Sequence, residues 1–196
     1  VTGWVGVDPG ARESGVVARA GARLVAWRVI DRHVVEPGTE EPGIPTLETI
    51  VATIAEFLDL LRAGPSRVAV ERAKKPNPHL GMIDVGYLLG TREVIGYVRC
   101  AYPGAVLIDP AKNGRQPLIT YPRELISPGE IAHADRARTW HAEPGDSASH
   151  RHVRSAWDLA GRAPVEALAV QHARPTPAPA RRRARRTPAP PQGRTT

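Results

Sequence analysis

Three short apolar runs in this chain end in an acid: "WVGVD" at Asp8, "RVAVE" at Glu71 and "AVLID" at Asp109. Such runs read as buried strands, where a carboxylate is costly unless its charge is compensated. A metal ion, an arginine, a backbone-amide nest or exposure at the strand end would each serve, and Asp8 alone does not choose among them. Two acids narrow the choice. If the strands carrying Asp8 and Glu71 lie side by side and parallel, their carboxylates emerge at one edge, about 4.8 Å apart. Acids that close repel each other and persist with a shared proton or a bound cation. The spacing suits a hard divalent ion, and two ions about 3.5–4 Å apart clamp the attacking and leaving oxygens of a phosphoryl displacement. Hydrolysis of a phosphodiester is the chemistry to which such a pair points.

A site of this kind needs a further ligand, and "HRHVRSAWDLAG" near the C-terminus offers one. On a helix, Ser155 and Asp158 share a face, while His152 is rotated from Asp158 by about 120°. Asp158 is the preferred third ligand. His152 is either a ligand or the group that positions the attacking water. The alternative for Asp158 is an exposed helix carboxylate paired with Arg154 or Arg162 at i,i±4. Basic residues follow the acids in the chain: Arg12 in the first turn, Arg72, Lys74 and Lys75 after Glu71, and Lys112 and Arg115 after Asp109. They are candidate phosphate contacts, which position a nucleic acid without reading its bases; otherwise they are ordinary solvated loops. Trp140, Trp157 and Tyr121 are candidates for stacking on unpaired bases, although Trp157, next to Ala156, equally fits a core position.

The elements that must hold these residues follow from periodicity. "GWVGVD", "SGVVARA" and "RLVAWRVI", separated by short Gly-containing segments, predict an antiparallel three-strand opening. Thr46 reads as an N-cap before "LETIVATIAEFLDLLRAG", whose apolar residues recur at helical spacing until Gly64-Pro65. "RVAVE" is a fourth strand, a second helix spans roughly 82–102, and "AVLID" is a fifth strand. Gly86, Gly90 and Gly96 in that second helix fit close packing against the sheet. The order predicts an α/β fold with a mixed five-stranded sheet, three antiparallel strands and then parallel ones, flanked by helices. Residues 111–149 read as irregular. A last helix runs from about 150 to 162, where Pro164 is expected to break it.

The formal net charge is +7, but seven arginines and no acid fall between Arg174 and Thr196. The tail, "RPTPAPARRRARRTPAPPQGRTT", has little that is apolar beyond alanine and reads as a disordered basic arm. It is either a salt-sensitive phosphate attractor or a solubilising extension. The expected organisation is therefore one catalytic domain over 1–163, a short helical extension over 164–173 and a tail over 174–196. Cys100 is the only cysteine, which excludes a disulfide framework and a thiolate zinc cluster. No run has the length of a membrane span and no signal-peptide pattern is present, so a soluble cytoplasmic protein is expected. The Ala, Arg, Pro and Gly usage is similar to that of high-GC actinobacteria or their phages.

Taken together, "VGVDPGARESGVV", "VAVERA", "GYLLGTREVIGYV", "LIDPAKNGR" and "HVRSAWDLA" resemble, in order, motifs of the RuvC-type Holliday-junction resolvases, within the RNase H-like nucleases. The likeness spans Gly3 to Arg162. It implies an RNase H-like fold, Asp8 and Glu71 as catalytic metal-binding acids, and His152 at a position held in the family by His or Asp. It also implies two Mg²⁺ or Mn²⁺ ions, a homodimer, and a four-way DNA junction nicked symmetrically by activated water. One departure is plain. Where the family carries an acid three residues after the His152 position, this chain has Ser155, and Asp158 would have to substitute.

Two rival readings stand beside this one. The first hairpin also resembles the phosphate loop of actin-like sugar kinases and ATPases, a fold that needs two such domains where this chain has room for one. Ser155 also fits a catalytically impaired DNA- or RNA-binding module of the same fold.

Overall fold

The computed structural model describes residues 3–31, 45–73, 85–137 and 148–172. Its centre is a five-stranded sheet of β1 (Gly3–Asp8), β2 (Glu13–Ala20), β3 (Arg23–Asp31), β4 (Val68–Glu71) and β5 (Val106–Ile108), in the order β3-β2-β1-β4-β5. β1 pairs antiparallel with β2, and β2 with β3, across a register shift at Ala18/Arg19. β4 runs parallel to both β1 and β5. Order and directions are those of the mixed sheet expected from the sequence, three antiparallel strands and then parallel ones.

Period-two alternation assigns each strand residue to a face. Val5, Val7, Val16, Ala18, Val68 and Val70 meet helices α1 (Pro45–Leu61) and α2 (Val85–Ala101) on one side. Trp4, Val17, Ala69 and Ile108 meet the long C-terminal helix, Ala148–His172, on the other. The helix foreseen from the apolar spacing of Ile50, Ile54, Phe57 and Leu58 is α1, 17 residues long, with those side chains buried. α2 differs in its use of glycine: a Cβ at Gly96 would meet nothing within 4 Å, so that residue faces open space rather than the sheet.

Two other expectations are revised. Residues 111–137 are not irregular throughout; they hold two short 3₁₀ turns, Leu118–Thr120 and Arg123–Leu125, and helix α3 (Pro128–Ala137). The signal for α3 is a capping box. Ser127 N–H donates to Glu130 Oε2 at 3.0 Å, and Glu130 N–H to Ser127 Oγ at 3.2 Å. The C-terminal helix, α4, does not stop at Pro164 but runs through it to His172. A proline costs the helix a single backbone bond and a local clash. Here Val153, Ala156, Leu159, Ala160 and Ala163 anchor the helix on the sheet before Pro164, and an Arg162–Glu166 ion pair at 3.2 Å brackets it. The segment expected as a short helical extension continues α4 as far as His172, and its Val165, Leu168 and Val170 are exposed. No described helix is long and apolar enough to cross a membrane. The basic tail lies outside the described residues.

Candidate active site

The parallel ladder between β1 and β4 closes with Val7 opposite Val70, which puts Asp8 and Glu71 at the next register position. Each follows a strand residue that faces α1 and α2, so both acids fall on the α4 face of the sheet, one strand spacing (about 4.8 Å) apart. α4 reaches that face because two glycines admit it. A Cβ at Gly6 would lie 1.9 Å from the Ala156 carbonyl oxygen, and one at Gly15 would lie 2.4 Å from that of His152. With its backbone this close, α4 lowers His152 onto Asp8, and Nδ1 meets Asp8 Oδ2 at 2.9 Å.

Asp8 is 7% exposed, so its charge is held with little help from solvent. Burial works to lower the His152 pKa, but the hydrogen bond and charge of Asp8 outweigh it, and the imidazole ends above its ordinary value. Glu13 adds to that rise, and Arg151 opposes it. Glu13 sits on β2 two residues before Gly15, the partner of Asp8, so alternation turns it toward α4 as well. Its Oε2 is buried and has no hydrogen-bond partner among the described residues.

Asp158 is elsewhere. Its Oδ2 accepts the Gly114 N–H and the Tyr121 O–H, each at 2.8 Å. Burial raises its pKa, against those two bonds and the charges of Arg19 and Arg162. Neither Arg154 nor Arg162 forms the exposed i,i±4 pair with it that the sequence also allowed. Arg154 is turned into the core onto Glu130, and Arg162 reaches Asn113, the Asp109 carbonyl and Glu166. The structure therefore brings Asp8, Glu71 and His152 to one edge and holds Asp158 in a separate network on the neighbouring loop. Among the described residues no three His, Cys, Asp or Glu side chains stand close enough to hold an ion together.

Asn113, absent from the sequence-based candidates, donates from Nδ2 to Glu71 Oε1 at 2.8 Å. Tyr87, in the first turn of α2, is a second such residue. Burial, then Asp8, then Glu71 raise its pKa against Arg151 and Arg12, so its phenol lies within the field of both acids. Arg12 is exposed near this cluster. Arg72 pairs with Asp109 at 3.2 Å on the surface, which accounts for the third strand-end acid. Lys112 and Arg115 are exposed on the loop that carries Asn113. Lys74, Lys75 and Trp140 lie outside the described residues. Trp157 and Tyr121 are buried, with Arg19 stacked 3.9 Å over the Trp157 ring, so neither offers a face to a base.

Among the solved structures to which the chain is similar are two from Thermus thermophilus. Both are RuvC. The structure titled T. thermophilus RuvC in complex with Holliday junction substrate is 17% identical over 84% of this chain and 96% of that one, with a TM-score of 0.49. A second Thermus thermophilus RuvC structure is 19% identical over 83% of this chain and 96% of that one, with a TM-score of 0.43. No protein-family model and no curated protein sequence matches the chain.

Proposed function

We propose that this chain is a divalent-cation-dependent endonuclease that hydrolyses phosphodiesters in branched DNA. The observation that carries the reading is the convergence of Asp8 and Glu71 on one sheet face at adjacent register, with His152 bonded to the first. The donor chemistry fits a hard cation. Two carboxylates face the same edge, and Glu13 adds a buried oxygen with no hydrogen-bond donor among the described residues. Asp8 and Glu71 would hold the ion, with His152 as a ligand or as the group that orients water through Nε2. A bound divalent ion supplies charge neutralisation at the scissile phosphate and lowers the pKa of its water. The chain's own part is to fix the acids on a rigid sheet end, hold the imidazole in one orientation through Asp8, and surround the site with cations for phosphates. Arg12, Arg151, Lys112 and Arg115 suit that last role, as would Lys74 and Lys75.

The substrate class rests on the ordered motifs that resemble RuvC-type resolvases. A homodimer fits the same reading, because the outer face of α2 leaves Leu89, Tyr97 and Cys100 exposed. Leu89→Glu is expected to convert the dimer to a monomer by light scattering; an unchanged mass would move the interface elsewhere.

The functional test is cleavage of a mobile four-way junction beside duplex and fork controls, with Mg²⁺, Mn²⁺ or EDTA. Paired nicks on the junction alone, lost with EDTA and in Asp8→Asn and Glu71→Gln while DNA binding is retained, are expected. Binding without cleavage under every metal would favour the binding module, a reading to which Ser155 lends a specific reason.

A further inference from the structure

The loop after β5 is more tightly built than its exposure requires. Asn113 is held at both ends of its amide. Nδ2 donates to Glu71 Oε1 at 2.8 Å, and Oδ1 accepts from Arg162 Nη1 at 3.2 Å. The orientation is fixed by chemistry, since a guanidinium only donates and a carboxylate accepts. Arg162 is itself set by the Asp109 carbonyl at 3.1 Å and by Glu166. On either side of Asn113 the backbone takes positive φ, 55° at Lys112 and 70° at Gly114. For a lysine this conformation costs on the order of 1–3 kcal/mol and persists only where the surroundings over-determine it. Here they do. Gly114 N–H is bound by Asp158 Oδ2, whose second donor, Tyr121 O–H, also accepts the Gln116 N–H at 3.0 Å. A Cβ at residue 114 would lie 2.7 Å from the Arg151 carbonyl oxygen, so α4 presses on the loop as well.

We propose that Asn113 is a positioning residue that fixes the Glu71 carboxylate for cation binding, and that Asp158 acts through the loop carrying Asn113 rather than as a ligand. The inference rests on the reading of Glu71 as a cation ligand given above. By engaging Oε1, Asn113 sets the plane in which the Glu71 carboxylate is presented. Such partners of ligating groups typically affect metal affinity by 10–100-fold. The arrangement also gives a physical reason for the position of Asp158. Both hydrogen bonds that Asp158 Oδ2 accepts, from Gly114 N–H and Tyr121 O–H, are committed to holding this segment.

The test is Mn²⁺ binding, followed by calorimetry and by water-proton relaxation on the full chain, with thermal melting of each variant and junction cleavage measured in parallel. Asn113→Ala is expected to weaken Mn²⁺ binding by about 10–100-fold without a matching loss of DNA affinity. Asn113→Ser, polar but too short to span to Glu71, should do the same and serves if the alanine variant does not fold. Asp158→Asn keeps an acceptor for Gly114 and Tyr121 and should retain Mn²⁺ binding, whereas Asp158→Ala should lose affinity as Asn113→Ala does. Asp8→Asn should abolish binding. Unchanged Mn²⁺ affinity in both Asn113 variants, with Asp8→Asn inactive in binding, overturns the positioning role and leaves the site intact. Loss of Mn²⁺ in Asp158→Asn makes Asp158 a ligand and also overturns it. If Asp8→Asn binds Mn²⁺ as the unmodified chain does, the site reading itself fails and this inference falls with it.

Discussion

His152 Nδ1 lies 2.9 Å from Asp8 Oδ2, although 144 residues separate the two. The contact joins the end of the first strand to the first turns of the last helix, so it reports on the assembly of the whole domain. Its strength depends on protonation. The His152 pKa is raised in the folded chain, despite burial, by the hydrogen bond and charge of Asp8.

A pH dependence of stability follows. A group whose folded pKa lies above its unfolded value contributes stability that is full below the unfolded value, about 6.5 for His, and is lost as pH rises through the folded one. In EDTA, the melting temperature is therefore expected to fall as pH rises above about 6.5, and His152→Asn should flatten that limb. Asp158, raised by burial, has the same sign but a carboxylate's lower window, so the two are separable. An identical profile in His152→Asn would mean that the pair contributes nothing.

The close approach of α4 supports a second expectation. At Gly6 and Gly15 an added methyl would meet helix backbone, at 1.9 and 2.4 Å, and backbone moves only with its whole element. Overpacking commonly costs about 1–3 kcal/mol, and a clash with main chain belongs at or above the top of that range. Urea denaturation of Gly6→Ala and Gly15→Ala should show it. Wild-type midpoints would mean that α4 can ride higher on the sheet without cost.

Arg154 and Glu130 form the most deeply buried ion pair described, through two contacts of 2.8 Å, with both residues 2% exposed. Arg154 also donates to the Leu125 carbonyl, and so ties the 118–137 segment to α4. Removing one member leaves the other charge buried alone, at about 3–5 kcal/mol. Glu130→Ala should cost that much in denaturant unfolding. The double variant Arg154→Met, Glu130→Leu should recover a large part, because it removes both desolvation penalties. A double variant no better than the single would show that the pair's attraction exceeds those penalties.

Much of this organisation was legible in the sequence. Asp8 and Glu71 stood out because each ends an apolar run, and period-two alternation in parallel strands brings such ends together. Helix α1 and the succession of strands along the chain were visible for the same reason, since burial writes a period into the chain. Asn113 and Tyr87 carry no such mark. Each is placed by a loop path or a helix register that depends on how α4 and α2 sit on the sheet, whereas Glu13 follows from the alternation of β2 once its pairing with β1 is known. For Asp158, spacing gives the face of a helix but not what covers that face, here Gly114 and Tyr121. The Ser127–Glu130 capping box was readable in "SPGE" and was hidden only by the surrounding prolines and glycines.

Seven arginines without an acid between Arg174 and Thr196 give the chain its whole net charge of +7. If the arm contacts DNA, each phosphate it neutralises releases counterions, and log affinity falls with log salt by roughly 0.9 per contact on a duplex. Truncation after Ala173 is then expected to weaken binding most at low salt and to make the salt slope shallower. Turnover at saturating DNA should not change, because Asp8, Glu71 and His152 are all supplied by the sheet and α4. The measurement is junction affinity across a salt series for the full and truncated chains, with cleavage rates taken at saturation. An unchanged slope would make the arm a bystander in binding, and the cations flanking Asp8 and Glu71 would then have to supply the phosphate attraction alone.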